Sequence, residues 1–87
     1  MARYYLEIKP SAAKELDALS DALFVRIDRK IMALAESPRP PGCKKLKGRN
    51  GQWRIRVGDH RVVYTIIDAK LLVEVTRVRH RSEVYEP

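Results

Sequence analysis

The chain of 87 residues has one cysteine, one tryptophan, one phenylalanine and four glycines. A single thiol, Cys43, excludes an internal disulfide and any multi-cysteine metal site, and it fits a reducing cytosol. No run approaches the ~18 apolar residues of a membrane span. The opening Met1-Ala-Arg-Tyr-Tyr-Leu-Glu lacks the apolar centre of a signal peptide. Expected, therefore, is a cytoplasmic protein with no membrane contact and with no cofactor or metal. Internal repeats and low-complexity tracts are absent as well.

Acid is scarce where base is concentrated. Lys and Arg number 18 against 11 Asp and Glu, a formal +7. Residues 44–81 hold 11 of the basic and 3 of the acidic side chains, a local +8, whereas residues 1–43 come to +1. Such a field over the C-terminal half attracts a polyanion or an acidic protein segment. Hydrophobic residues at 45% and charged residues at 33% are proportions of a globular chain. A chain this short builds one modest core, so residues 1–87 are read as a single domain.

From Arg3 to Lys9, Tyr4, Leu6 and Ile8 alternate with Arg3, Tyr5 and Glu7, the period of a half-buried strand that Pro10 ends. Ser11 is placed as the cap of a short helix with Leu16 and Leu19 inward. Ser20 and Asp21 restart the chain as a second helix, along which Leu23, Phe24, Ile27, Ile31 and Leu34 form an apolar stripe. The segment Ser37-Pro-Arg-Pro-Pro-Gly42 stops it, because proline lacks an amide donor and restricts the residue before it. Cys43 to Lys47 reads as a short edge strand, and Gly48 to Gly51 as a turn. Three longer strands follow, over 52–57, 60–67 and 70–78. Gly58-Asp59 and Asp68-Ala69 separate them by two residues each, the spacing of tight antiparallel hairpins. The expected fold is α+β, an N-terminal strand and a helical hairpin packed on one face of a small antiparallel sheet. The other face stays open.

Strand alternation then sorts side chains by face. Trp53, Ile55 and Val57 belong on the helices, with Trp53 as the main core anchor; Arg54 and Arg56 point away. Val62, Tyr64 and Ile66 form the next buried row, with Arg61 opposite, and Leu71, Val73 and Val75 the last. Near Thr76-Arg77-Val78 the alternation breaks, as at a bulge or strong twist, and Arg77 has no assigned face. Guanidinium groups crowded on one open face repel unless anions lie between them. A solvated basic face, or one kept for an acidic partner segment, is the plainer reading of a lone basic strand. Tyr85, whose ring can stack on a base, and His80, which exchanges protons near neutral pH, tilt the reading towards nucleic acid.

Five segments carry a family resemblance: Tyr4-x-Leu-x-Ile-x-Pro10-Ser-Ala-x-Lys-Glu-Leu16, Ser37-Pro38, Lys45-Leu-Lys-Gly48, Trp53-Arg-Ile-Arg-Val-Gly-Asp-His-Arg-Val-Val-Tyr64 and Arg77-Val-x-His-Arg-Ser-Glu-Val-Tyr85. Together they resemble the RelE/ParE superfamily, toxins of bacterial type II toxin–antitoxin systems, over residues 4–85. Individually each motif is weak. The resemblance implies a RelE-like fold related to microbial ribonucleases, with two activities known on it, so the fold does not choose between them. RelE-like members cleave mRNA in the ribosomal A site; ParE-like members inhibit DNA gyrase. The RelE-like pattern has two lysines where Arg54 and Arg56 stand, arginines at Arg61 and Arg79, and a tyrosine at Tyr85, which favours the ribonuclease branch. A ParE-like gyrase inhibitor and a catalytically silent RNA- or antitoxin-binding module are the alternatives.

What the resemblance implies is metal-independent attack by the ribose 2′-hydroxyl on the adjacent phosphate. Arg61 is cast as the phosphate clamp, Arg54 and Arg56 as its helpers, Arg79 at the leaving 5′-oxygen and Tyr85 as the ring that stacks on a base. Arginine is a poor general base, so His80 becomes the candidate proton acceptor, ahead of His60. Lys45, Lys47, Arg49, Arg77 and Arg81 are the expected RNA-backbone contacts. The implied partners are a RelB-like antitoxin, forming a hetero-oligomer with the toxin, and the ribosome with its A site, ribosomal RNA and mRNA.

Overall fold

The computed structural model describes residues 3–48 and 51–80. Its elements are β1 (Tyr5–Ile8), α1 (Pro10–Asp17), α2 (Asp21–Ala33), β2 (Lys44–Lys45), β3 (Gln52–Val57), β4 (His60–Ile67) and β5 (Leu72–His80), with a 3-10 turn at Asp68–Lys70. The strands form one sheet in the order β1-β5-β4-β3-β2. Pairing is antiparallel from β2 to β5, but β1 runs parallel to β5. The sheet is therefore mixed rather than wholly antiparallel, because a helical hairpin, not a tight turn, separates β1 from the meander.

The second helix begins where expected, with Ser20 Oγ accepting the Leu23 amide at 3.4 Å and Asp21 favourably placed at the positive end of the helix. Ile27, Ile31 and Leu34 are fully or almost fully buried. Phe24, expected in the same stripe, is 37% exposed. The inward row advances in steps of four and three from Leu23, which leaves Phe24 on its flank. The first helix departs more. It starts at Pro10, which suits the first helical position, and Lys9 rather than Ser11 precedes it. Ser11 Oγ instead donates to the Thr76 carbonyl at 2.7 Å.

That bond belongs to a wider substitution. Pairing of β1 with β5 ends at Ile8 and Val75, which leaves the outer edge of β5 open from Thr76 onward. Side chains of α1 occupy it, Ser11 at the Thr76 carbonyl and Glu15 Oε1 at the Val78 amide, 2.8 Å away. Main-chain groups that would otherwise be left on a bare edge are thus satisfied by a helix.

The Gly58-Asp59 hairpin matches its prediction, with Gly58 at φ +60° supplying the positive angle that its first turn position needs. Asp68-Ala69 does not form a two-residue turn. The chain makes the 3-10 turn and then places Leu71 at φ 50°, so Leu71 is exposed and the buried row of β5 is Val73, Val75 and Val78. A register shift between Val63 and Tyr64 leaves Thr76 as the extra residue, the bulge that the broken alternation anticipates.

Tyr64, not Trp53, is the central aromatic. It has no exposed surface, and its hydroxyl donates to the Pro38 carbonyl at 2.7 Å. Burial pushes its phenol pKa up, and Cys43 adds to the shift. Trp53 is half-buried, with the Arg39 guanidinium 5.2 Å from its ring centre. The same guanidinium pairs with Asp68 at 2.8 Å, and Tyr4 donates its hydroxyl to Asp68. The Arg39 and Tyr4 bonds hold the Asp68 carboxyl below its ordinary range. Because the folded-state pKa is depressed, the stabilisation exists above the unfolded value and fades as pH falls through the folded one. Asp68→Asn should therefore lower Tm slightly at pH 7, and thermal melts should show that gap closing below the usual carboxylate range near pH ~4.

Candidate functional site

Register and alternation divide the residues of β3, β4 and β5 between two faces. Ile55, Val57, Val62, Tyr64, Ile66, Val73, Val75 and Val78 pack under the helices. On the opposite face Arg56 lies across from Arg61, and Arg61 across from Arg79. Three arginines from three strands thus stand in one row, neighbouring Cα atoms being about 4.5–5.5 Å apart. Beside it runs a second row of Lys44, Arg54, Val63 and Arg77. The bulge is what brings Arg77 to this face.

Like charges directly opposed across strands destabilise a sheet by a few tenths to about 1 kcal/mol per pair. Bearing that cost at both Arg56–Arg61 and Arg61–Arg79 makes sense when an anion lies across the row. Arg56 is exposed, Arg61 half-buried and Arg54 only 6% exposed. Neither Arg54 nor Arg61 stands without a partner. Acid reaches the row from α1: Glu15 Oε2 accepts from Arg79 Nε at 2.9 Å and lies 3.7 Å from Arg77 Nη1. Farther along the same face the character changes. Tyr5, Glu7, Leu72 and Glu74 share it, with Lys9 bridging Glu7 and Glu74 at 3.5 and 3.3 Å. The basic half is the one next to the β3–β4 turn.

Other expected site residues fall elsewhere. His80 pairs with His60 in a T-shaped ring contact, centroids 5.3 Å apart. Both share the parity of Val62 and Val78, so they sit at the end of the helix-side face and the backbone separates them from the arginine row. Lys45 pairs with Trp53 and so shares that helix side; its neighbour Lys44 joins the basic face instead. Lys47 is exposed beyond β2. Arg49, Arg81 and Tyr85 lie outside the described residues. Lys44 and Glu15 were missed by sequence reasoning. A one-residue choice of parity in a two-residue strand hid the first. The second is 62 or more positions from its partners and carries no local signal. Where β2 stops, the edge of β3 opens onto a cleft of about 250 Å³ lined by Lys30, Leu34, Pro40, Pro41, Ile55 and Arg56. Among the described residues, no three His, Cys, Asp or Glu gather as metal ligands.

A profile of the ParE toxin of type II toxin–antitoxin systems, parDE, matches residues 6–85. The chain belongs to the ParE toxin family. Within that family it is similar to the mRNA interferase toxin RelE of Escherichia coli K12, 35% identical over 86 residues that cover 94% of this chain and 90% of the relative. The mRNA interferase RelE of Shigella flexneri matches to the same extent. RelE in the intact E. coli RelBE toxin–antitoxin complex superposes with a TM-score of 0.78 at 30% identity, over 88% of this chain and 95% of that one. The archaeal RelE–RelB complex of Pyrococcus horikoshii gives 0.82 at 25% identity, over 97% and 100%. Two helices on a five-stranded sheet are thus the RelE fold, and the chain is a RelE-like toxin of a toxin–antitoxin system.

Proposed function

We propose that this RelE-like toxin is an endoribonuclease, an mRNA interferase that cuts mRNA in the ribosomal A site and is neutralised by a RelB-like antitoxin. The cytoplasm, where translation occurs, is its place of action. The observation that carries this reading is the row Arg56–Arg61–Arg79, three cations in line on the sheet face opposite the helices. Relatives named mRNA interferase and neighbours solved with antitoxins support it.

In the reaction, the 2′-oxygen bonds to phosphorus and the P–O5′ bond breaks. The 2′-proton leaves to an acceptor and the 5′-oxygen gains one, leaving a 2′,3′-cyclic phosphate and a 5′-hydroxyl. Arg61, flanked on both sides, clamps the phosphate and stabilises charge on the pentacoordinate phosphorus. Arg56 holds the RNA backbone while Arg54, 6% exposed, adds its charge from the neighbouring row; Arg79 faces the leaving oxygen, and Tyr85 stacks on a base. This cationic array supplies the charge that a divalent ion supplies in other nucleases, which is the basis for a metal-independent route. A guanidinium is a poor base, and His80 has the parity of the other face. The proton acceptor is then a water or a ribosomal group, and ordering of the codon by the ribosome becomes part of the catalysis.

Incubating the toxin with a defined mRNA, with and without programmed ribosomes, and analysing the product ends tests the reading. Cuts that require ribosomes and end in a cyclic phosphate are expected. Intact mRNA together with inhibition of supercoiling by purified gyrase would replace it with the gyrase-directed alternative. Salt dependence tests the face. Each lost phosphate contact should reduce the slope of log K against log salt by about 0.7 for single-stranded RNA. Lys44→Gln should show that loss and Lys45→Gln should show less, because only Lys44 pairs with Arg54 on the basic face.

A further inference from the structure

Arg79 is not left to find its own orientation. From α1, Glu15 reaches across the open edge of β5 with both carboxylate oxygens engaged, Oε1 by the Val78 amide at 2.8 Å and Oε2 by Arg79 Nε at 2.9 Å. Arg77 Nη1 lies 3.7 Å from the same Oε2. The side chain of Glu15 is 22% exposed, less than those of Arg79 at 37% and Arg77 at 48%. A carboxylate bonded to a main-chain amide on one side and a guanidinium on the other is fixed at both ends. Its bond is to Nε, so Glu15 fixes the guanidinium without using the terminal nitrogens in that bond.

We propose that Glu15 is a positioning residue: it holds Arg79, and through shared charge Arg77, in the orientation that meets the RNA phosphate. The proposal rests on the ribonuclease reading above. Charge follows the same logic. One carboxylate between two arginines lowers the repulsion that would spread them, without covering the face they present. It also makes the helix that closes the sheet edge part of the site.

Glu15→Gln keeps the length and one hydrogen bond of the side chain and removes its charge. The expected result on programmed ribosomes is a fall in kcat of roughly 10–100-fold, the scale of a misplaced positioning contact. KM should stay level or fall, because a less neutralised Arg79 still attracts phosphate. In an Arg79→Ala background the same change should cost far less, what remains being its hold on Arg77. A role confined to capping the Val78 amide would cost equally in both backgrounds and would move Tm instead. Losses that multiply in the double variant, or wild-type kcat in Glu15→Gln, would overturn the proposal. NMR of the Arg79 Nε–H in the isolated toxin separates this outcome from failure of the ribonuclease reading. A signal protected from exchange in wild type and lost in Glu15→Gln upholds the positioning even if no mRNA is cut. Equal protection in both proteins rejects it.

Discussion

Arg61→Ala lowers the single-turnover rate of mRNA cleavage on programmed ribosomes by roughly 10²–10³-fold, the cost of removing one donor aimed at developing negative charge. Circular dichroism and Tm should remain near wild type. The functional loss is large because Arg61 is the middle of the row, with Arg56 across one strand boundary and Arg79 across the other. The structural loss stays small because deleting the middle charge relieves two like-charge pairs, which offsets the contact that Arg61 gives up. Arg61→Lys should recover part of the rate, since a lysine restores the charge without the two-pronged geometry of a guanidinium. A drop in Tm that accounts for the lost activity would assign Arg61 to the fold instead.

Ile27→Ala should be the most damaging single change to stability among these predictions, about 2–5 kcal/mol. Ile27 has no exposed surface and lies in the core between α2 and the sheet. In a domain of this size each kcal/mol moves Tm by roughly 4–8 °C. Urea titration should show a lower midpoint with an unchanged slope. Val25→Ala, 54% exposed one helical face away, is the control and should stay within about 0.5 kcal/mol.

Most of the architecture could be read from pattern because period and turn chemistry are local signals. Ser20 announces its helix, Gly58 its hairpin, and the spacing of Ile27, Ile31 and Leu34 its buried face. Where pattern and structure differ, a distant partner decides the matter. Ser11 could cap a helix by its chemistry, yet the bare Thr76 carbonyl took its hydroxyl. Leu71 fits an apolar alternation, yet the turn before β5 needed a residue at positive φ and placed it in solvent. Nothing near β1 says that it pairs parallel with β5, since that follows only from how the helices return the chain to the sheet.

The candidate site divides in the same way. Alternation alone puts Arg54, Arg56 and Arg61 on one face, and cross-strand register lines up Arg56 and Arg61 as neighbours. Arg79 and Arg77 needed the bulge at Thr76, which shifts parity by one and decides which residues of β5 face outward. The same shift puts His80 beside His60 on the helix side, although it adjoins Arg79 in sequence. Proximity along a strand is the opposite of proximity on a face.

Primer extension on a defined mRNA under translation, with wild-type toxin beside Arg61→Ala and Tyr85→Ala, tests the central claim most directly. The account predicts codon-phased cuts at the A site with wild type and their loss in both variants. Intact mRNA with wild-type toxin engaged on the ribosome, or equal cutting by Arg61→Ala, would contradict it.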